Sequence, residues 1–183
     1  MLDPLEVEDV FEDYECKEVI RIAENGAFEP AALVGGRRHD NLRRAQVFWL
    51  DERKDAGWVF DRLMGAVIEA NRNHFRFDLS GFSERMQVAW YGSRDAGHFD
   101  WHSDIGDGAL ARRRKLTVVV QLSEEASYRG GDLEVNADGR PRAVTRKNGA
   151  AALFPSFLPH RVTTVTEGAR YSLTTWVHGP DFR

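Results

Sequence analysis

The spacing of apolar residues changes near residue 85, and this change constrains the fold more than any other feature of the chain. Beyond it, short apolar segments follow one another with Gly and Pro between them. RMQVAWY alternates as a strand does, and KLTVVVQL is the continuous apolar run typical of a central strand covered on both faces. Further short strands are predicted at 132–136, 151–154, 161–166 and 170–178.

Helical periodicity is confined to the first part of the chain. One helix is predicted over about 13–24 with Asp13 as its capping residue, and a second over about 54 or 56 to 71. Helices followed by many short strands favour a mainly β fold, in which a jelly-roll-like double sheet is braced by N-terminal helices.

Length and composition limit the classes of protein to which the chain can belong. Its 183 residues suit one domain over 1–183, with helical support over about 1–75 and a β core over about 84–178. The net charge of -4 argues against general affinity for nucleic acid. No apolar run approaches the roughly 20 residues of a membrane span. The single cysteine, Cys16, excludes an intrachain disulfide and favours the reducing cytoplasm.

The segment His102-Ser103-Asp104 carries the strongest chemical signal. Side chains at i and i+2 of a strand point to the same face, so His102 and Asp104 can bind one metal ion. His160, from a distant strand, would complete a 2-His-1-carboxylate facial triad, which leaves one face of Fe(II) open. Zinc is the alternative metal, because three protein ligands and a water also form a catalytic zinc site. His98 shares this face but lies roughly 13 Å along the strand, so it is the weaker candidate.

The segment HRVTTVTEGARYSLTTWV is interpreted as two short strands joined by a turn at Glu167 and Gly168. One face of the second strand would present a guanidinium, two hydroxyls and an indole. This set fits an anion held by bidentate arginine hydrogen bonds, and an ordinary ion pair of the arginine with an acidic residue is the alternative. The four residues of this face are Arg170, Ser172, Thr174 and Trp176.

Over about 85–177 the chain resembles the iron- and 2-oxoglutarate-dependent oxygenases of the prolyl 4-hydroxylase type, including the bacterial PKHD-type hydroxylases. The matching segments are QVAWYGSRDAGHFDWHSD, RKLTVVVQLSEEASYRGGDLEV and AALFPSFLPHRVTTVTEGARYSLTTWV, in the family's order. The step from His160 to Arg170 and the RYSLTTW run are more specific than any single ligand. The resemblance implies a double-stranded β-helix core (jelly-roll, cupin-like) with Fe(II) bound by His102, Asp104 and His160.

The resemblance also implies a cosubstrate pocket. Arg170 would bind the distal carboxylate of 2-oxoglutarate, although other members of the family use lysine there. Tyr91 matches a tyrosine that lines the pocket in close relatives, and Gln121 stands where some relatives have a tyrosine hydrogen-bonded to 2-oxoglutarate. The other residues expected in this pocket are Leu133, Val162, Ser172, Thr174 and Trp176.

The implied activity is hydroxylation of an unactivated C–H bond with Fe(II), 2-oxoglutarate and O₂, with ascorbate as a further candidate cofactor. A prolyl residue in a peptide or protein is the expected substrate, and a free amino acid or other small molecule is the alternative. Two other interpretations are a cupin-like zinc hydrolase or isomerase that needs no O₂, and a non-catalytic binding module. Neither a nucleic acid nor a membrane is expected as a partner, and no oligomeric state is predicted.

Two basic segments lie outside these motifs. Segment 34–44 is the best candidate for a mobile loop that could close over the site, because paired glycines precede a charged stretch. Its arginines are expected to be solvated, and the alternative is that they hold an acidic group of the substrate. The basic run at 112–115 is likewise expected to be solvated, and the alternative is that it lies at the entrance to the site. The arginines of the loop are Arg37, Arg38, Arg43 and Arg44.

Overall fold

The computed structural model describes residues 3–32, 41–52 and 56–182. Within these ranges the α-helices are α1, Asp13–Glu24, and α2, Gly57–Ala70, which continues into a π-helical turn, Asn71–Phe75. The strands are β1 Leu5–Val7, β2 Glu29–Pro30, β3 Arg43–Arg44, β4 Gln46–Leu50, β5 Gly81–Phe82, β6 Met86–Gly92, β7 His98–His102, β8 Arg114–Gln121, β9 Tyr128–Gly130, β10 Leu133–Val135, β11 Arg142–Ala143, β12 Ala151–Pro155, β13 His160–Val162 and β14 Val165–His178.

The strands form two antiparallel sheets that face each other. The larger sheet has the order β1-β12-β8-β14-β6-β4-β2, with β5 and β9 also paired to β14, and the smaller has the order β11-β10-β13-β7-β3. Apolar side chains from both sheets, including Val119 and Phe154 of the larger and Leu133 and Val162 of the smaller, pack in one cluster between them. The predicted mainly β, jelly-roll fold is therefore confirmed.

The helices cover the outer face of the larger sheet. Val19 of α1 and Leu63 of α2 lie in one buried cluster with Val88 and Leu173 of the sheet. Every residue of β8 is buried, as predicted for KLTVVVQL, because helices lie on one side of this sheet and the smaller sheet on the other. No helix in the described ranges is long and apolar enough to cross a lipid bilayer.

Two local predictions differ from the structure. Helix α1 has the predicted bounds, but its N-cap is Glu12, whose backbone N–H donates to the carboxylate of Glu15 at 2.8 Å. The turn predicted at Glu167 and Gly168 is wrong, because β14 continues through both residues. Gly168 has φ +66°, and the pairing of β14 with β9 is irregular just before it. Glycine thus allows a left-handed backbone inside a strand where the sequence pattern predicts a turn.

The short strands that precede residue 75 were not predicted from the sequence. These strands are two to five residues long, so their side chains give no readable alternation. One of them, Arg43–Arg44, extends the smaller sheet by pairing with β7, with Arg43 opposite Phe99. This pairing brings a basic segment beside the strand that carries His102.

A glycine between β11 and β12 provides a test of the packing at this end of the sheet. Gly149 has φ +78°, and an added Cβ would lie 2.0 Å from the carbonyl oxygen of Phe11. We expect Gly149→Ala to lower the free energy of unfolding by about 3 kcal/mol or more, because backbone strain and overpacking add together. Urea unfolding followed by circular dichroism measures this loss.

Gly139 supplies the matched control for that substitution. It also has a positive φ, +86°, but nothing lies within 4 Å of an added Cβ. Gly139→Ala should therefore cost only the backbone strain, about 1 kcal/mol. Equal losses in the two variants would contradict the packing argument.

Candidate metal and cosubstrate site

The three predicted metal-ligand residues converge at the smaller sheet. His102 is the last residue of β7 and His160 the first of β13, and the two are directly paired across these strands. Asp104 follows β7 and does not lie within it, and its backbone N–H donates to the carbonyl of Ser156 at 2.8 Å. The ligand-type atoms of the three side chains all lie within 4.8 Å of one another. The pairing of β13 with β7 therefore brings His160 next to His102 and Asp104, although it lies far from them in the sequence.

Backbone carbonyl groups orient both imidazoles. Nδ1 of His102 lies 2.7 Å from the carbonyl oxygen of Asp100, and Nδ1 of His160 lies 2.9 Å from that of Leu158. Since a carbonyl oxygen only accepts, Nδ1 must carry the proton in each ring, and Nε2 is left as the metal-binding atom. Nε2 of His102 and of His160 lie 3.6 and 3.4 Å from carboxylate oxygens of Asp104.

The carboxylate of Asp104 is held by two donors on the same oxygen. Oγ1 of Thr117 donates to Oδ2 at 2.7 Å, and Nε1 of Trp176 donates to Oδ2 at 2.9 Å. Oδ1, which faces His102, is therefore the oxygen better placed to bind a metal ion. Two nitrogens and one carboxylate oxygen form a donor set that suits Fe(II), and also Mn(II) or Zn(II).

The three groups also set one another's protonation. Burial would raise the pKa of Asp104, but the charge and hydrogen bond of His160, the charge of His102 and the hydrogen bond from Trp176 together hold this pKa well below its ordinary value. Burial would lower the pKa of His160, but the Asp104 carboxylate raises it. Burial and the charge of His160 lower the pKa of His102 to about 4. Below the raised pKa of His160, a metal ion must therefore displace the proton that this imidazole shares with Asp104.

Arg114, Glu84 and His178 form a network of charged and hydrogen-bonded side chains next to Asp104. Arg114 donates to the carbonyl oxygen of Asp104 at 3.0 Å, and its guanidinium lies 3.8 Å from the ring centroid of Trp176. Arg114 is also paired with Glu84, which His178 contacts at 2.9 Å. Burial opposes ionisation of Glu84, but hydrogen bonds from Arg114 and His178 lower its pKa to about 2. Through Arg114, the network holds the backbone carbonyl of Asp104 in place.

This network corrects one prediction. The run 112–115 was expected to be solvated, but Arg114 and Lys115 are buried and only Arg112 is exposed. Arg114 is buried because Glu84 compensates its charge. His178 is fully buried against the same carboxylate.

Arg170 lies in the larger sheet, and its contacts among the described residues are with neutral groups. It is 1% exposed, and it donates to Oγ of Ser172 at 3.2 Å and to Oε1 of Gln121 at 3.0 Å. Its guanidinium lies 5.5 Å from the ring centroid of Tyr91, which β6 places directly opposite it, and its buried Nε has no partner. Among the described residues no carboxylate pairs with Arg170, so the ion-pair alternative finds no support there. A buried cation without an anion is costly, and this site therefore suits an anionic ligand.

A cavity of about 410 Å³ joins the triad to Arg170. It lies between the two sheets, and its walls combine apolar side chains with the polar face of β14. Every residue predicted for the cosubstrate pocket lines it except Gln121, which lies behind Arg170 and binds its guanidinium. The predicted residues in the cavity wall are Tyr91, His102, Asp104, Leu133, His160, Val162, Arg170, Ser172, Thr174 and Trp176.

Three residues that the fold adds to the site, Thr117, Arg43 and Gln87, were not predicted from the sequence. Thr117, a donor to Asp104, was recognisable as the one hydroxyl residue in the apolar run KLTVVVQL. Arg43 and Gln87 also line the cavity, and nothing in the local sequence indicates this.

His98 binds backbone oxygens of Ala96 and Asn41 and does not join the triad. Residues 34–40 of the proposed loop, with Arg37 and Arg38, lie outside the described residues.

Comparisons with known proteins identify the family. The model of the 2OG-Fe(II) oxygenase superfamily matches residues 86–178. A PKHD-type hydroxylase of Parvibaculum lavamentivorans is 34% identical over 167 residues, which are 85% of this chain and 68% of that relative. A PKHD-type hydroxylase of Psychrobacter is 35% identical over a shorter stretch of 71 residues, 39% of this chain and 27% of that relative.

Solved structures show the same fold. A prolyl-4-hydroxylase of Pseudomonas putida superposes with a TM-score of 0.79 at 21% identity, covering 97% of this chain and 94% of that one. A prolyl hydroxylase of Trichoplax adhaerens, solved with a peptide fragment, superposes with a TM-score of 0.79 at 17% identity, covering 96% of this chain and 83% of that one. From the family match and the Parvibaculum relative, this chain belongs to the 2OG-Fe(II) oxygenase superfamily.

Proposed function

We propose that this oxygenase hydroxylates an unactivated C–H bond of a prolyl residue in a peptide or protein. The observation that carries the proposal is the convergence of His102, Asp104 and His160 in the same cavity as the buried Arg170, which pairs with no carboxylate of the described residues. Relatives named PKHD-type hydroxylases and structural neighbours that are prolyl hydroxylases, one of them with a bound peptide, favour peptidyl proline as the substrate.

Each group of the site has a distinct role in this proposal. The two imidazoles and the Asp104 carboxylate hold Fe(II), and Arg170 with Ser172 holds the distal carboxylate of 2-oxoglutarate. Bound Fe(II) supplies O₂ activation coupled to the conversion of 2-oxoglutarate into succinate and CO₂. Gln121 orients the Arg170 guanidinium, and apolar walls that include Leu133 and Val162 keep bulk water away.

Substrate-dependent release of succinate tests this function directly. The purified protein is supplied with Fe(II), 2-oxoglutarate, O₂ and ascorbate, and then with proline-containing peptides or free amino acids. We expect succinate release with a peptide, together with a mass gain of one oxygen atom on its proline. Product formation without O₂ or without 2-oxoglutarate would overturn the proposal. Reaction with free amino acids but not with peptides would show that the substrate is a small molecule and not a peptide.

A conservative substitution tests the support that Asp104 receives. Trp176→Phe keeps the aromatic ring but removes the N–H that donates to Oδ2 of Asp104. We expect Mn(II) affinity to fall about tenfold, the range found when groups that orient metal ligands are removed. Isothermal titration calorimetry measures the affinity. Trp49→Phe is the control, because its N–H donates to Glu29 at 3.0 Å instead, and an equal loss in both variants would contradict the assignment.

We also propose that residues 1–183 act as one oxygenase domain in the cytoplasm. Helices α1 and α2 support the sheet that carries Arg170, which favours a single unit. Cys16 is a buried free thiol whose pKa is raised to about 12 by burial, and a reduced, unreactive cysteine suits a reducing compartment. Limited proteolysis tests the first statement and localisation of a tagged chain tests the second.

A further inference from the structure

A second buried arginine lies in the cavity that holds the triad and Arg170. Arg43 is 8% exposed and lines this cavity, contrary to the prediction that it is solvated, whereas its neighbour Arg44 is exposed as predicted. The two differ because β3 pairs with β7, and this pairing turns alternate side chains inward and outward.

The contacts of Arg43 place its guanidinium near the metal site. It lies 4.5 Å from the ring centroid of Phe99, and this ring stacks on the imidazole of His102 with centroids 3.4 Å apart. Only one aromatic ring therefore separates the guanidinium from a proposed metal ligand. Arg43 reaches the cavity from the smaller sheet, whereas Arg170 reaches it from the larger one.

The partners of Arg43 in the described residues are neutral. It donates to Oε1 of Gln87 at 2.5 Å and to the carbonyl oxygen of Ala32 at 3.4 Å, and its buried Nε has no partner. The carboxylates that line the cavity accept hydrogen bonds from other groups and do not pair with Arg43. Glu29 accepts from Trp49, Asp100 accepts from the backbone of Trp101, and Asp104 accepts from Thr117 and Trp176.

When Fe(II) and 2-oxoglutarate are bound as proposed, the positive charge of Arg43 is left without a negative charge that balances it. Fe(II), the Asp104 carboxylate and the 2-oxoglutarate dianion together carry one negative charge, which Arg170 balances. Arg114 is balanced by Glu84. Glu29 and Asp100 also line the cavity, but both are exposed and neither pairs with Arg43. Among the described residues of the cavity wall, Arg43 is then the remaining buried cation, and a buried cation requires an anionic partner to offset its desolvation.

We propose that Arg43 binds a carboxylate of the substrate, so that this oxygenase acts on molecules with an acidic group close to the target C–H bond. The inference rests on the proposed function, because it assigns the substrate to the same cavity. The carboxylate can be the α-carboxylate of a free amino acid or the side chain of an acidic residue beside the target in a peptide. Both present the planar anion that a guanidinium binds.

Paired probes separate these two sources. The protein is loaded with Mn(II) and 2-oxoglutarate without O₂, so that the Arg170 site is filled and no turnover occurs. Binding of L-proline is then compared with that of L-prolinamide, and binding of acetyl-Pro-Glu-amide with that of acetyl-Pro-Gln-amide, by calorimetry. We expect the acid to bind at least about tenfold more tightly than its amide in one pair, as for a charge-assisted hydrogen bond. The pair that shows the preference identifies the source of the carboxylate.

Substitutions assign this preference to Arg43. In Arg43→Met the acid and amide of the responding pair should bind equally, while Arg43→Lys should keep part of the preference because it keeps the charge. Arg44→Met is the matched control on the same strand and should behave like the native protein. Circular dichroism shows whether each variant is folded, and Arg43→Lys keeps the test valid if Arg43→Met is not.

The outcomes distinguish this inference from the function on which it rests. If the protein does not bind 2-oxoglutarate with Mn(II), the proposed function fails. If the protein binds Mn(II) and 2-oxoglutarate but prefers the acid to its amide in neither pair of probes, only the assignment of Arg43 is overturned. The same holds if the preference for the acid persists in Arg43→Met.

Discussion

The His160→Ala protein is expected to bind Mn(II) at least about a hundredfold more weakly than the native protein, because removal of groups that merely orient metal ligands already costs 10–100-fold. It should release no succinate. His160 offers one of the three candidate ligand atoms and lies on β13, whereas His102 ends β7 and Asp104 follows it. Calorimetry and a succinate assay measure the two effects. His102→Ala and Asp104→Ala should have the same consequences.

His98→Ala is the matched control for His160→Ala. His98 begins the strand that His102 ends, but its ring nitrogens contact backbone oxygens of Ala96 and Asn41. We expect this variant to retain Mn(II) binding and turnover. Normal succinate release by His160→Ala would show that the third ligand has been misassigned.

The Arg170→Ala protein should need about a hundredfold more 2-oxoglutarate for half-maximal activity, because loss of one partner of a buried charge pair costs several kcal/mol. Its Mn(II) affinity should be unchanged, since Arg170 contacts Gln121 and Ser172 and not the triad. Steady-state kinetics at varied 2-oxoglutarate concentrations test the first effect, and calorimetry tests the second.

The stability of the Arg170 variant separates a binding role from a structural one. Arg170 has no anionic partner among the described residues, so its removal takes away a desolvation cost as well as two hydrogen bonds. We therefore expect little change in thermal stability. Arg161→Ala, which removes a surface pair with Glu134, is the control and should leave the 2-oxoglutarate requirement unchanged. An unchanged requirement in Arg170→Ala would overturn the assignment of the anion site.

The polar face of β14 could be predicted because the alternation of side chains along a strand is a local rule. The jelly-roll class followed from the apolar pattern for the same reason. The closeness of His102 and Asp104 follows from their separation of two residues, although Asp104 lies beyond the end of β7. The approach of His160 depends instead on the pairing of β13 with β7, and the resemblance to the oxygenase family implied it. Membership of the oxygenase superfamily then favours the oxygenase interpretation over the hydrolase and binding-module alternatives.

The burial of the arginines could not be predicted from the sequence. Arg43 and Arg114 lie in runs of basic residues, and such runs usually form solvated surfaces. Arg114 is buried because Glu84, 30 positions away, pairs with it, and Arg43 is buried because β3 pairs with β7. Both causes are contacts between distant segments, which local charge patterns do not encode.

The pairing of β14 with β6 and β8 has a consequence for selectivity among 2-oxo acids. Arg170 and the Asp104 donor Trp176 belong to this one strand, which is hydrogen-bonded on both edges. The distance between the Arg170 guanidinium and the Asp104 carboxylate is thus constrained by β14, because Trp176 on the same strand donates to Asp104. A homologous dicarboxylate one methylene shorter or longer would lose contact with either Arg170 or the metal site. We therefore expect the pocket to select a 2-oxo acid of one chain length.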